Sequence, residues 1–247
     1  MNYFTRPQNV SFSDVATRGT DQSAILRRIW LFARLDEADL AQIGKLARVR
    51  HVGPREIVVH QGEESGDLYA VVSGRLKAFS TNADGGDVVL SIMETGDVFG
   101  EIALLDEQPR SASVATLEEC DLLVIERQSF RALLTRLPSL ALRLMAMMAR
   151  RLRDLSDRTE DVSSLDVERR LAKTLLGLAE RFGEADRQGR ITLTLKLSQQ
   201  DLANMVGATR EFVNRQLRGW EEQGLVDLSG RSLAIPNAKG LNAVAGL

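Results

Sequence analysis

Cysteine is nearly missing from this chain. Among 247 residues only Cys120 carries a thiol. One cysteine excludes a disulfide framework, a cysteine-ligated zinc site and an iron–sulfur cluster held by this chain alone. Histidine is almost as scarce, with only His51 and His60, so a dedicated metal site is not expected either. No apolar run approaches ~18 residues, which excludes a helix that crosses a membrane. The stretch from Met1 to Thr20 is polar and lacks the apolar centre of a secretory signal, so a reducing cytoplasm is the expected compartment. Charge of one sign is also lacking: 34 acidic residues face 32 basic ones, for a net −2. That balance hides an asymmetry. From Glu168 onward there are 12 basic and 9 acidic residues, net +3, which leaves −5 for the rest. A mildly basic final third on an acidic body hints at nucleic acid without deciding for it.

What is present is ordinary for a globular chain: 44% hydrophobic and 27% charged residues. The length suggests two domains at ~100–200 residues each, with enough apolar material for two cores. Residues 1–22, rich in Ser, Thr, Asp and Asn, read as a flexible tail. Ile25, Leu26, Ile29, Trp30 and Phe32 then fall at helical spacing, and Asp36 to Ala47 reads as a second helix with Leu40, Ile43 and Leu46 on one face. After His51 the texture becomes short aliphatic runs, at 57–59, 68–72, 76–79, 88–93 and 122–125, punctuated by glycines. Strands this short and this regularly spaced indicate an antiparallel sandwich or barrel. Asp84-Gly85 suits a hairpin turn.

Helical period returns at Arg127, with Phe130, Leu133 and Leu134 in one stripe and Pro138 suited to the first turn of a new helix. In that helix Ala141, Met145, Met148, Leu152, Leu155, Thr159 and Val162 alternate steps of four and three. Such a seam, flanked by charges, predicts a dimerising coiled coil. A further helix carries Leu171, Leu175, Leu178 and Phe182. A strand follows at 191–195, and 225–228 with 232–235 read as a β-hairpin around Ser229-Gly230-Arg231.

Between them, 198–217 has the pattern of a helix-turn-helix. Ala203 is small where the helices meet, Gly207 serves the tight turn, and Leu202, Val206 and Val213 lock the pair. Thr209 suits the N-cap of the second helix. That helix shows Arg210, Glu211, Asn214, Arg215 and Arg218 on its polar side, suited to base edges in a major groove. Gln216 stands where an aliphatic residue would be buried, so Leu217 is expected to pack there.

The stretch from Phe99 to Val114 is the other dense one. Gly100 to Leu105 can form one helical turn whose free N–H groups face an anion. Glu101 can accept from sugar hydroxyls, Arg110 can pair with a phosphate, and Ser111 adds a hydroxyl. On spacing alone, a structural ion pair between Glu101 and Arg110 fits equally well.

Together these stretches resemble the CRP/FNR family of bacterial transcription regulators. The likeness runs from about Ile25 to Ile235. It is carried by Gly66-Asp-Leu-Tyr69, Ser73-Gly74, Gly96-Asp97, Phe99-Gly-Glu101, Arg110-Ser111, Ala149-Arg-Arg-Leu152 and Gly207-Ala-Thr-Arg-Glu211 with Arg215. The resemblance implies an α+β protein in four parts: the tail (1–22), a jelly-roll β-barrel that binds cyclic nucleotide (23–137), a dimerisation helix (138–165) and a winged helix-turn-helix (166–247). It implies that Glu101 binds the ribose, and that Arg110 and Ser111, with backbone at Gly100, Ile102 and Ala112, hold the cyclic phosphate. Arg210, Glu211 and Arg215, with Asn214 beside them, would read a TGTGA-like half-site. Ser198, Gln199, Gln200 and Thr209 would touch the DNA backbone. Met145, Met148, Leu152, Leu155, Thr159 and Val162 would form the interface of a homodimer, with RNA polymerase as a further partner and no membrane.

One departure bears on the ligand. Cyclic-AMP receptors of the family place a Thr-Ser pair on the dimer helix against the adenine amino group. Here those positions are Leu155 and Ser156, so cyclic GMP stands beside cyclic AMP as a candidate. The single cysteine excludes the family's iron–sulfur branch. His51 and His60 read as ordinary strand residues, so no haem is expected. A member sensing another signal, with no nucleotide bound, is the remaining alternative. A nucleotide module that regulates an enzyme without binding DNA is disfavoured by 198–217. No catalytic constellation is visible, so no enzyme is expected.

Overall fold

The structure, a computed structural model, describes residues 22–83, 85–230 and 232–246. The tail expected over 1–22 therefore lies outside the described residues except at its last position. So do Asp84 of the expected turn pair and Arg231 of the expected hairpin. The chain forms two compact units, one of residues up to 81 with 90–149, the other of 82–89 with 150 onward.

The first unit opens with α1 (Gln22–Arg28) and α2 (Glu37–Leu46). Asp36 starts α2 by accepting from the Asp39 amide at 2.8 Å. Eight strands follow: β1 (Ala47–Val52), β2 (Ile57–Val59), β3 (Leu68–Ser73), β4 (Leu76–Thr81), β5 (Asp87–Met93), β6 (Val98–Phe99), β7 (Ser113–Thr116) and β8 (Cys120–Ile125). They build two four-stranded sheets, ordered β1-β8-β3-β6 and β2-β7-β4-β5. The helix α3 (Glu101–Asp106) joins β6 to β7. The antiparallel sandwich expected from the strand spacing is observed.

Alternation explains the layering. Tyr69 and Val71 of β3 join Val52, Val59, Leu76, Val114, Leu122 and Val124 in a core between the sheets. Leu68, Ala70 and Val72, on the opposite face of β3, join Leu123 and Ile125 against Leu26, Phe32, Leu40, Ile43 and Phe130 of the helical layer. With both faces covered, β3 reads as a continuous apolar run. Two strands of this unit escape the sequence reading. β1 has four of its six residues exposed, and β7 is short and merges with the polar stretch before it. His51 lies on β1, and His60 sits just past β2.

The helix α4 (Arg127–Arg136) and the part of α5 (Pro138–Ser164) up to residue 149 complete the first unit, and the rest of α5 belongs to the second. Pro138 occupies the first position of α5, as expected. Leu140 and Leu144 are buried, whereas Leu142, Met145, Leu152, Leu155 and Val162 are 58–65% exposed.

The second unit contains α6 (Val167–Phe182), β9 (Gly183–Ala185), β10 (Ile191–Leu193), α7 (Gln199–Val206), α8 (Arg210–Glu222), β11 (Ala234–Ile235) and α9 (Ala238–Ala245). Asp166 caps α6, whose stripe of Leu171, Leu175, Leu178 and Phe182 is buried as its period predicts. The sheet order is β11-β10-β9. The hairpin expected over 225–235 shrinks to a single bridge, Asp227 to Ala234. Leu225 and Val226 turn into the core instead, and their amides bond the Trp220 carbonyl. β11 pairs with β10 through Ile191 and Ile235. No single helix among the described residues is long and apolar enough to cross a membrane.

Candidate functional site

In the first unit the β6–α3 junction is built around one buried cation. β6 ends at Phe99, whose ring stacks on Tyr69 with centroids 4.9 Å apart. The chain turns at Gly100 with φ +87°, a left-handed conformation that glycine adopts without penalty. Arg110, only 4% exposed as a residue, places its guanidinium behind this turn. Its Nη1 donates to the Gly100 carbonyl at 3.0 Å, and its Nη2 donates to the Asp67 carbonyl at 2.9 Å and to Ser65 Oγ at 3.0 Å. The Tyr69 ring centroid is 5.6 Å from the guanidinium carbon. Every hydrogen-bond partner is thus a neutral oxygen. The Nε of Arg110 is buried with no partner at all. Burial pushes the Arg110 pKa down, because desolvation penalises the charged form.

This geometry removes one of the two sequence readings. Arg110 makes no ion pair with Glu101 among the described residues. Glu101, 2% exposed at the start of α3, is buried beside the same turn. Of the other expected site residues, Ile102 and Ser111 are exposed and Ala112 is half-buried. Leu155 and Ser156 lie on the exposed part of α5, where the Ser156 hydroxyl donates to the Leu152 carbonyl at 3.0 Å. Ser65 and the Asp67 carbonyl were not foreseen. They lie 45 and 43 residues before Arg110, and a backbone carbonyl leaves no mark in a sequence.

In the second unit Ser198 opens α7 with a capping box: its Oγ accepts from the Asp201 amide at 3.0 Å and donates to Asp201 Oδ2 at 2.6 Å. Gln199 and Gln200 fill the first turn. Gly207 closes α7 at φ +65° with open space where a Cβ would stand, so conformation and not room demands glycine. Thr209 caps α8, accepting from the Phe212 amide at 3.2 Å. Leu202, Ala203, Val206, Val213 and Leu217 are buried between the helices. Leu217 takes the packing role expected of it, while Gln216 reaches Glu168 Oε1 at 2.8 Å. Arg210, Glu211, Arg215 and Arg218 stand in solvent along α8, and Asn214 is half-buried. Arg215 lies against the ring of Phe212, 5.5 Å from its centroid, a residue the sequence reading passed over.

The first unit thus holds a buried arginine behind a strand-to-helix turn, and the second a capped helix-turn-helix. Residues 49–136 match the cyclic nucleotide-binding domain model, and residues 169–244 match the Crp-like helix-turn-helix domain model. The chain is 32% identical over 217 residues to the CRP-like cAMP-activated global transcriptional regulator of Mycobacterium tuberculosis, covering 88% of this chain and 96% of that one. It is 33% identical over 182 residues to the cAMP-activated global transcriptional regulator CRP of Escherichia coli, covering 73% and 86%. The solved global regulator CLP of Xanthomonas campestris, described as c-di-GMP responsive, shares the fold. Its TM-score is 0.71 at 23% identity, over 82% of this chain and 100% of that one. The chain belongs to the CRP/FNR family of transcription regulators.

Proposed function

We propose that this regulator binds a cyclic nucleotide at Arg110 and, as a homodimer, couples that binding to recognition of a TGTGA-like palindrome. The observation that carries the reading is the state of Arg110: buried, bonded only to neutral oxygens, with its Nε unpartnered. A buried cation whose hydrogen-bond partners are all neutral is poorly compensated for its desolvation, although the Asp67 and Glu63 carboxylates act on it from a distance, and a phosphate seated beside it would offset that cost with charge-assisted bonds. Ser111 and the backbone at Gly100, Ile102 and Ala112 would hold the same phosphate, and the Glu101 carboxylate would accept from ribose hydroxyls. Two named relatives are cAMP-activated, which favours cyclic AMP. Leu155 in place of threonine on the helix proposed to face the base keeps cyclic GMP as the alternative.

The exposed seam of α5, with Met145, Met148, Leu152, Leu155, Thr159 and Val162, would pair with its copy. The chain would then divide functionally at 137 and 165 into sensor, dimer helix and DNA-binding domain. Ser198, Gln199, Gln200 and Thr209 would touch phosphates, and Arg210, Glu211, Asn214 and Arg215 base edges. Nucleotide would favour the arrangement in which both recognition helices meet successive major grooves, and RNA polymerase would respond to the bound dimer in the cytoplasm. Calorimetry of the purified protein with cyclic AMP and cyclic GMP side by side tests the ligand. Binding of one or both supports the reading; heat from neither overturns it.

A further inference from the structure

The recognition helix carries a feature that its charged residues alone do not explain. Arg215 is exposed, and among the described residues no carboxylate lies within ion-pair distance of it. Its contact is the ring of Phe212, one turn earlier on the same face of α8, with the guanidinium carbon 5.5 Å from the ring centroid. Phe212 is only half-buried, so the ring is both a prop for the arginine and an apolar surface at the N-terminal end of the helix. Its own backbone is fixed, because its amide donates to the Thr209 cap at 3.2 Å. Beside it Val213 is fully buried and anchors that turn to the core. A half-buried aromatic thus stands in the first turn of a helix that otherwise presents Arg210, Glu211 and Arg215 to solvent, within reach of whatever those side chains meet.

In the major groove, arginine pairs with guanine O6 and N7, and the apolar partner available beside that edge is the C5-methyl group of a pyrimidine. We infer that Phe212 is a specificity-determining residue: it holds the Arg215 guanidinium for guanine and selects a 5-methyl pyrimidine, thymine or 5-methylcytosine, next to that guanine. The inference rests on α8 being the base-reading helix. It adds a hydrophobic element to a readout otherwise made of hydrogen bonds.

The test uses the full-length protein with excess cyclic AMP, and separately with excess cyclic GMP. A site is first selected from a random duplex pool. The base next to the guanine assigned to Arg215 is then thymine, deoxyuracil, cytosine or 5-methylcytosine, and in a second set that guanine is replaced by adenine, with nothing else changed. Wild type is expected to prefer thymine over deoxyuracil, and 5-methylcytosine over cytosine, by about three- to fivefold, the worth of one buried methyl. Phe212→Ala should bring both ratios to about one. Phe212→Leu keeps an apolar side chain but no ring, so it should retain part of the methyl preference and lose discrimination for guanine. Each ratio is taken within one protein, so a general loss of affinity cancels. Should the alanine variant fail to fold, as melting would show, the leucine variant decides by its guanine discrimination. Wild-type ratios near one, or a Phe212→Leu that discriminates guanine like wild type, would overturn the inference. If selection returns no preferred sequence at all, the base-reading role of α8 falls first and the inference with it.

Discussion

The guanidinium of Arg110 rests on the backbone of Gly100. Nη1 donates to the glycine carbonyl at 3.0 Å, and a Cβ added at residue 100 would lie 2.5 Å from that nitrogen and 2.6 Å from the Asp67 carbonyl oxygen. The glycine also holds φ +87°, where a side chain is strained whatever the space. Gly100→Ala is therefore expected to destabilise the fold by at least ~1 kcal/mol and to displace Arg110 from its cradle. Denaturant unfolding and nucleotide titration of the variant check both. Unchanged stability would mean that the turn does not need its glycine.

The apolar seam of α5 gives the second expectation. Leu152 is 65% exposed and Met148 half-buried on a helix otherwise lined with charge. A helix that leaves such a stripe uncovered is expected to bury it against another copy. Met148→Glu with Leu152→Glu should give a monomer in sedimentation. An intact dimer would place the interface elsewhere.

These elements were legible because their periodicity is strong and because Thr209 reads as a cap; the structure adds Asp36, Asp166 and Ser198 at the start of their helices. β1 was not, since Arg48, Arg50 and His51 face solvent and leave only Val49 and Val52 as branched apolar residues. α9 was missed because its small residues, Ala238, Gly240, Ala243 and Ala245, give a faint stripe. At the candidate site, Arg110 and Gly100 stand out in the sequence by residue type, with the partner of Arg110 left open. The cradle of Ser65 and the Asp67 carbonyl does not, because it comes from a distant loop through backbone atoms. The charged residues of α8 are plain in the sequence, whereas the contact of Phe212 with Arg215 depends on helical spacing rather than charge.

Base readout separates two residues that are neighbours in sequence. Arg210→Ala should cost ~1–3 kcal/mol on the selected site and relax preference at one position per half-site. Thr209→Ala should weaken binding to all sequences alike, because backbone contacts carry little sequence information. Site selection with wild type and both variants at one fixed salt concentration makes the comparison. If Arg210→Ala weakens every site equally and keeps the preference, Arg210 does not read a base.

His51 supplies an expectation about pH. Its Nδ1 lies 3.0 Å from Asp121 Oδ1 and its Nε2 3.0 Å from Glu119 Oε1. The hydrogen bond with Asp121, reinforced by both carboxylate charges, raises its pKa above the usual imidazole value. A histidine raised in the folded state stabilises the fold fully below its unfolded value of about 6.5, and that contribution is lost as pH rises through the folded value. The melting temperature of wild type should therefore exceed that of His51→Gln more at about pH 5.5 than at about pH 8.5. An equal difference at both would show that the pair of carboxylates does not act on the imidazole.

The central claim is that occupation of the Arg110 site controls DNA binding. The most direct measurement is fluorescence anisotropy of a labelled selected duplex with the full-length protein, at one salt concentration. It is read without nucleotide, with cyclic AMP and with cyclic GMP, for wild type and for Arg110→Leu. Wild type should bind the duplex more tightly with at least one nucleotide. Arg110→Leu should need about 30- to 1000-fold more of that nucleotide for the same response, since a charge-assisted bond in a desolvated pocket is worth ~2–4 kcal/mol. DNA binding by wild type that neither nucleotide alters, or an Arg110→Leu variant that responds at the wild-type concentration, would contradict the account.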